Sequence, residues 1–390
     1  MKQLIQITAI SFLLPFMPIS LHAQDTKNAF LIEGDLVGEF IHIFKGGIQT
    51  NELDYQGLEQ FKLYFDTENA GFWKGGSIHL HVLNTHGQEV SANYTGDLQV
   101  FSNIESPSHT GIFEFIYSQQ FIWLELRTGW NDLNAQYCKS EFGSLFINSS
   151  FGITPGIALN VPVSIFPLTA PFLEINFNRN KNSSIGIAGY AGNPGDLVSN
   201  KYNLDWELTC NNGMLNIIQY KYHSGTEKLL SVNAGLYNHT ENFVSFKDSL
   251  KAYTGNFGFF VNADKTFIAS NEHFENELNG FLQFSLAPDD RNLVDFYLGT
   301  GISYHGFFNT KNVSDIVGFG IAHMSTSKSW QEQASEHKKS ETAIEFTYQL
   351  CLKDRITFQP DLQYIINPGA GTNGDIDNAL AGTLRFIVSY

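Results

Sequence analysis

Thr383-Leu384-Arg385-Phe386-Ile387-Val388-Ser389-Tyr390 closes the chain, with Leu384, Phe386, Val388 and Tyr390 on one face and Thr383, Arg385, Ile387 and Ser389 on the other. Such a period of two is the signature of a β-strand with unlike surroundings on its two sides. The pattern recurs upstream. Thr342, Ile344, Phe346, Tyr348 and Leu350 alternate with Glu341, Glu345, Thr347 and Gln349, and Phe61, Leu63 and Phe65 interleave with Lys62, Tyr64 and Asp66. Ile78, Leu80 and Val82 oppose His79 and His81; Leu173, Ile175 and Phe177 oppose Glu174, Asn176 and Asn178; Leu204, Trp206 and Leu208 oppose Asn203, Asp205 and Glu207. No helical period of 3.6 is sustained. Turn chemistry separates the segments, as in Lys74-Gly75-Gly76, Asn193-Pro194-Gly195, Asn211-Asn212-Gly213 and Pro288-Asp289-Asp290.

Composition says what the two faces meet. Of 390 residues, 34 are Phe, 16 Tyr and 34 Gly, yet only 16% are charged, against about 25% in a typical soluble chain. A charged surface therefore cannot cover the molecule. A lipid-facing belt around a polar lumen gives this balance while mean hydropathy stays near zero, at -0.14. Past the N-terminus no apolar run reaches the roughly 18 residues of a spanning helix, which excludes a helical membrane protein.

Residues 1–23 read as a secretory signal peptide: Lys2, an apolar stretch over 4–17, and an exit at His22-Ala23, with Leu21 larger than the small residue usual at that position. The rival reading, a retained anchor, is opposed by Pro15 and Pro18. Residues 24–390 then form a single domain. A net charge of -16 argues against nucleic acid as a partner, because phosphates require a basic face. Cys138, Cys210 and Cys351 match no zinc or haem spacing, and no cofactor is called for.

Roughly 365 mature residues at about 20 to 24 per strand and loop give around 16 strands, enough to enclose an aqueous bore. The expected fold is all-β: a transmembrane, antiparallel, up-and-down β-barrel whose extracellular loops constrict the pore. The lysine- and glutamate-rich stretch 325–340 reads as a mobile extracellular loop. A final strand ending in an aromatic, here Tyr390, is what the outer-membrane barrel assembly machinery is expected to receive.

The C-terminal third carries a family resemblance as well. Glu341-Thr342 through Tyr348, then Gln359-Pro360-Asp361-Leu362-Gln363-Tyr364-Ile365-Ile366-Asn367-Pro368-Gly369, then Asn378-Ala379-Leu380 to Arg385, resemble the closing strands of the carbohydrate-selective, OprB-type porins. Trp73-Lys74-Gly75-Gly76 with Asn84-Thr85-His86-Gly87, the turn from Ala188-Gly189-Tyr190 to Gly195, and the stretch from Gly299 to Ala322 are similar too. The resemblance implies passive diffusion of monosaccharides and similar small neutral solutes, outer-membrane lipid as the surroundings, and possible assembly as a homotrimer. One departure touches sugar preference: after Phe166-Pro167, where such porins often place an arginine, this chain has Ala170-Pro171-Phe172-Leu173-Glu174.

Sugars are gripped by planar hydrogen-bonding groups, so inward-facing Arg, Asp, Glu and Gln are the candidates. If Ile122, Leu124 and Leu126 meet lipid, Glu125 and Arg127 point inward; parity adds Glu174, Gln359, Asp361, Gln363, Arg385, Glu341 and Glu345. The site candidates are Glu125, Arg127, Glu174, Glu345, Asp361, Gln363 and Arg385. The plainer reading of each is a solvated wall charge that only tunes conductance. An enzyme is not expected: Tyr222-His223-Ser224-Gly225 and the stretch from Gly235 to His239 lack the nucleophile elbow and read as turns. His79 and His81 lack a third ligand, so no metal is expected. The alternatives are a general or cation-preferring porin and, from another class, a surface β-sandwich adhesin.

Overall fold

The computed structural model of the protein describes residues 28–50, 52–204, 212–225, 229–269, 276–308, 313–333, 338–352, 355–372 and 374–390. The alternating segments are strands. They run β1 (Phe30–Gly47), β2 (Leu53–Asp66), β3 (Gly76–Gly87), β4 (His109–Gln120), β5 (Leu124–Asn131), β6 (Ala170–Asn180), β7 (Ser183–Ala191) and β8 (Met214–His223). The second half continues with β9 (Leu230–Val244), β10 (Ala252–Ile268), β11 (Glu277–Leu286), β12 (Val294–His305), β13 (Val313–Thr326), β14 (Ser340–Leu352), β15 (Ile356–Ile366) and β16 (Asp377–Ser389). Each pairs antiparallel with its sequence neighbour, and β16 returns to β1, so the sheet closes into a barrel. Closure follows from the solvent: in hydrocarbon every unpaired N–H or C=O costs several kcal/mol, and only a sheet without edges avoids that. No described helix is long and apolar enough to cross a membrane.

The chain terminus makes the seam. Tyr390 N donates to Gly34 O and Gly34 N to Tyr390 O, both at 3.0 Å. The Tyr390 ring lies over Gly34 and the Phe386 ring over Gly38, where any Cβ would collide with them. On the inner side of the seam Arg385 binds Glu39, and Gln56 Nε2 donates to Glu39 Oε2 at 2.6 Å.

Outward positions keep large apolar side chains exposed, among them Leu173, Ile187, Leu236, Phe257, Phe346, Leu362 and Leu384. The buried core lies inside the barrel. Connections at the end holding both termini are mostly short, whereas the opposite end carries residues 88–108, 132–169 and 192–204; long loops of this kind belong to the extracellular side. The first two fold into the bore, where Phe146 and Phe151 pack on Phe281, and Tyr137 and Ile157 join Tyr190, Leu215 and Phe260.

Two readings are corrected. Gly235 to His239 lies within β9 and is not a turn. The alternation assigned to 203–208 is described only at Asn203 and Leu204; residues 205–211, with Cys210, lie outside the described residues. The stretch 325–340 is anchored over its described part: Thr326, Ser327 and Ser329 are buried, and Trp330, in the short helix α2 (Lys328–Gln333), packs edge-on against Phe246. Residues 1–23 also lie outside the described residues.

Candidate channel lining and solute site

The loop 132–169 has no strand pattern, so its backbone must find partners elsewhere, and the inner wall supplies them. Local caps shape it first: Asp132 accepts from Asn134 N at 2.8 Å, and Asn148 Oδ1 accepts from Ser150 N at 3.1 Å. Wall carboxylates then take its free N–H groups. Glu345 on β14 accepts from Ile147 N at 2.5 Å and Asn148 N at 3.0 Å. Asp264 on β10 accepts from Ser140 Oγ at 2.6 Å and Phe142 N at 3.1 Å. Gln359 Nε2 donates to Leu145 O at 2.8 Å and Gln283 Nε2 to Phe151 O at 2.9 Å.

The loop 88–108 is held in the same manner. Glu341 accepts from Leu98 N and Gln99 N, both at 2.9 Å, and Gln363 Nε2 donates to Phe101 O at 3.0 Å. Arg385 reaches from its seam contact to Asn103 Oδ1 at 2.6 Å. Charge-assisted hydrogen bonds of this kind contribute about 1.5–3 kcal/mol each. Together they fasten both loops to the wall formed by β10–β16 and β1.

Along β1 to β8 some inward polar groups stay half-buried: Asp35 and Lys62, 3.3 Å apart, with His79, Glu125, Asn176 and Lys221. Behind them Arg127 Nη1 meets Glu174 Oε2 at 3.0 Å, with the guanidinium 5.7 Å from the Phe172 ring centre. Asn176 Nδ2 bridges Glu174 at 2.5 Å and Glu125 at 3.4 Å. Lys221 Nζ reaches Gln136 Oε1 of the loop at 3.5 Å and lies in the field of Glu174 and Glu125. His79 and His81 turn their Nδ1 atoms toward one carboxylate oxygen of Glu114, at 3.8 and 3.3 Å. Among the described residues no group of three or more His, Cys, Asp or Glu could hold a metal.

All seven sequence candidates face inward, but in two separate places. Register sets Arg127 opposite Glu174 and Glu125 opposite Asn176 on β5 and β6. Glu345, Asp361, Gln363 and Arg385 cluster on β14–β16, under the folded-in loops; Glu345 and Gln363 have no exposed surface. Of these four, Glu345, Gln363 and Arg385 serve as loop anchors. Sequence reasoning passed over Asp264, Lys221 and the loop groups Glu105 and Asp132. The available signal was the 132–169 gap, too long for a turn and rich in Asn and Ser. Burial, reinforced by the charge of Asp97, raises the Glu105 carboxyl to about 8; burial, reinforced by Glu114, raises Asp132 to about 7.

The family model of the carbohydrate-selective porins, OprB family, matches residues 50–390. The chain belongs to this family. As an OprB-family porin it is a bacterial outer-membrane channel of the carbohydrate-selective class. Solved structures carry the same fold. The high-pH structure of Pseudomonas putida OprB matches at TM-score 0.81 and 18% identity, over 93% of this chain and 94% of that one. The low-pH structure of Pseudomonas putida OprB matches at 0.57 and 15%, over 93% of each chain. Salmonella typhi OmpF, in complex with daunomycin, matches at 0.59 and 9%, over 94% and 99%. No curated protein sequence matches significantly. In this OprB-family chain Arg127 stands on β5 directly opposite Glu174 of β6.

Proposed function

We propose that this channel passes small neutral sugars by diffusion between the β1–β8 wall and the loop 132–169, without a chemical step. Glu125 forms its polar face together with Asn176 and Lys221, with the buried Arg127–Glu174 pair behind them. The observation that carries this reading is the pairing of opposite charges along the passage. Asp35 stands beside Lys62, Glu174 beside Arg127, and Lys221 lies in the field of Glu125 and Glu174. Neighbouring opposite charges leave little net field to draw ions but offer rigid donors and acceptors to hydroxyl groups. That balance favours a sugar path over the cation-preferring alternative, despite the chain's net charge of -16.

Reversal potentials in a salt gradient, with glucose titrated into the same bilayer, test the proposal. Weak ion preference with glucose-dependent reduction of current is expected. Strong cation preference without any glucose effect would establish the general-porin reading instead. We propose also that residues 1–23 are removed at export, so that the membrane-inserted protein begins at Gln24, which N-terminal sequencing checks.

A further inference from the structure

On most strands the outward face is apolar at mid-strand, as at Leu126, Leu282, Phe319, Phe346 and Leu362. One sector breaks that rule. On β2 the outward series runs Tyr55, Gly57, Glu59, Phe61 and Leu63, which leaves the exposed Glu59 side chain halfway along the strand, at the depth of hydrocarbon. Its register neighbours are Leu36 of β1 and Asn84 of β3, and Asn84 stands opposite Thr110 of β4. We infer that this outward sector of β2–β4 is an interface with a second copy of the chain in the membrane, with Glu59 at its centre.

The polar atoms of the sector are not used up within one chain. Asn84 Nδ2 donates to Thr110 Oγ1 at 2.6 Å, and Asn84 Oδ1 lies 3.1 Å from His86 Nδ1, which therefore carries the proton. The His86 ring lies over Gly57 and beside Tyr55, with centroids 5.6 Å apart. Left over are the Glu59 carboxylate and His86 Nε2 as acceptors and the hydroxyls of Tyr55 and Thr110 as donors, none of them engaged in that role by a described residue. On other strands the outward Thr128, Thr300 and Asn238 turn back onto their own wall and donate to the carbonyls of Phe172, Phe281 and Asn256.

Acyl chains can satisfy none of the leftover groups, and a carboxylate facing them is costly. Copies of one chain insert in one orientation, so a second copy turned about the membrane normal brings the same band to the same depth. The band holds both acceptors and donors and is complementary to itself: Glu59 and His86 Nε2 of each copy are offered the hydroxyls of the other. A phosphate or a cation, each of one hydrogen-bonding sense, would leave half of the band unmet. Depth points the same way, because lipid headgroups lie at the strand ends and Glu59 lies halfway along β2.

Cysteine crosslinking of the full-length protein in membranes tests the inference, with Cys210 and Cys351 changed to Ser and the buried Cys138 kept. Phe61→Cys or Phe115→Cys, both outward on the sector, should give a two-chain species on oxidation, whereas Leu282→Cys, outward on β11 across the barrel, should not. Adding Glu59→Leu should lower that yield about fivefold to tenfold, the worth of about one hydrogen bond. Light scattering in mild detergent should give more than one chain per particle for the natural sequence and one for Glu59→Leu, and ion current across a bilayer verifies an intact barrel in each variant. One chain per particle for the natural sequence, with no crosslink from either sector position, would overturn the interface. Equal crosslinking from Leu282→Cys, or association unmoved by Glu59→Leu, would overturn it as well by placing the contact elsewhere on the wall.

Discussion

Two halves of one barrel wall obey the same alternation and meet different fates. On β10–β16 the inward polar groups are consumed by loop backbone: Asp264, Glu341 and Glu345 accept N–H groups, while Gln283, Gln359 and Gln363 donate to carbonyls. On β1–β8 some inward groups do the same, as Gln219 and Glu114 with the loop 132–169, but others bind one another: the half-buried Lys62 with Asp35, and the buried Arg127 with Glu174. Inward direction alone therefore does not make a solute site. What separates the two kinds of inward group is whether loop backbone or a neighbouring wall side chain takes their hydrogen bonds.

The largest expected effect probes the passage half. Arg127→Ala strands the buried Glu174 carboxylate, a change that costs about 3–5 kcal/mol where a buried pair is broken. Reversal potentials should move toward cation selectivity, and the double change Arg127→Ala with Glu174→Ala should restore much of the stability and weak preference. Next comes the anchored half. Glu345→Gln removes one acceptor from Ile147 N or Asn148 N, at about 1–3 kcal/mol; a lower melting temperature and a flickering current from the loosened loop are expected. The same substitution effect on current without flicker would show that Glu345 faces the solute after all.

A pH titration sharpens the contrast from the loop side. Burial places the Glu105 carboxyl at about 8 against an ordinary 4.5, so the folded chain holds a proton that the unfolded chain has lost. This group's contribution to stability is thus greatest below about 4.5 and is lost as pH rises through about 8. Loop flicker, absent at pH 5, should grow between pH 7 and 9. The smallest effect belongs to the outer face: Leu362→Ala, at a 44% exposed position, should leave conductance unchanged and alter thermal stability by less than about 1 kcal/mol, since lipid replaces the lost contacts.

The strands were legible because alternation is a local property: Glu341 to Leu350, Gln359 to Tyr364 and Thr383 to Tyr390 each declare both faces within one segment. Parity likewise turned all seven candidates inward. Partner choice was not legible. Glu345 binds backbone N–H groups some two hundred residues earlier in the chain, and a backbone N–H has no residue-type signature.

The central claim is a closed barrel, half filled by its own loops, that still leaves a path for one sugar ring. Swelling of liposomes containing the purified chain, in isosmotic glucose and then in raffinose, tests it most directly. The account predicts rapid swelling in glucose and slow swelling in the bulkier trisaccharide. Liposomes that stay unswollen in glucose would contradict it.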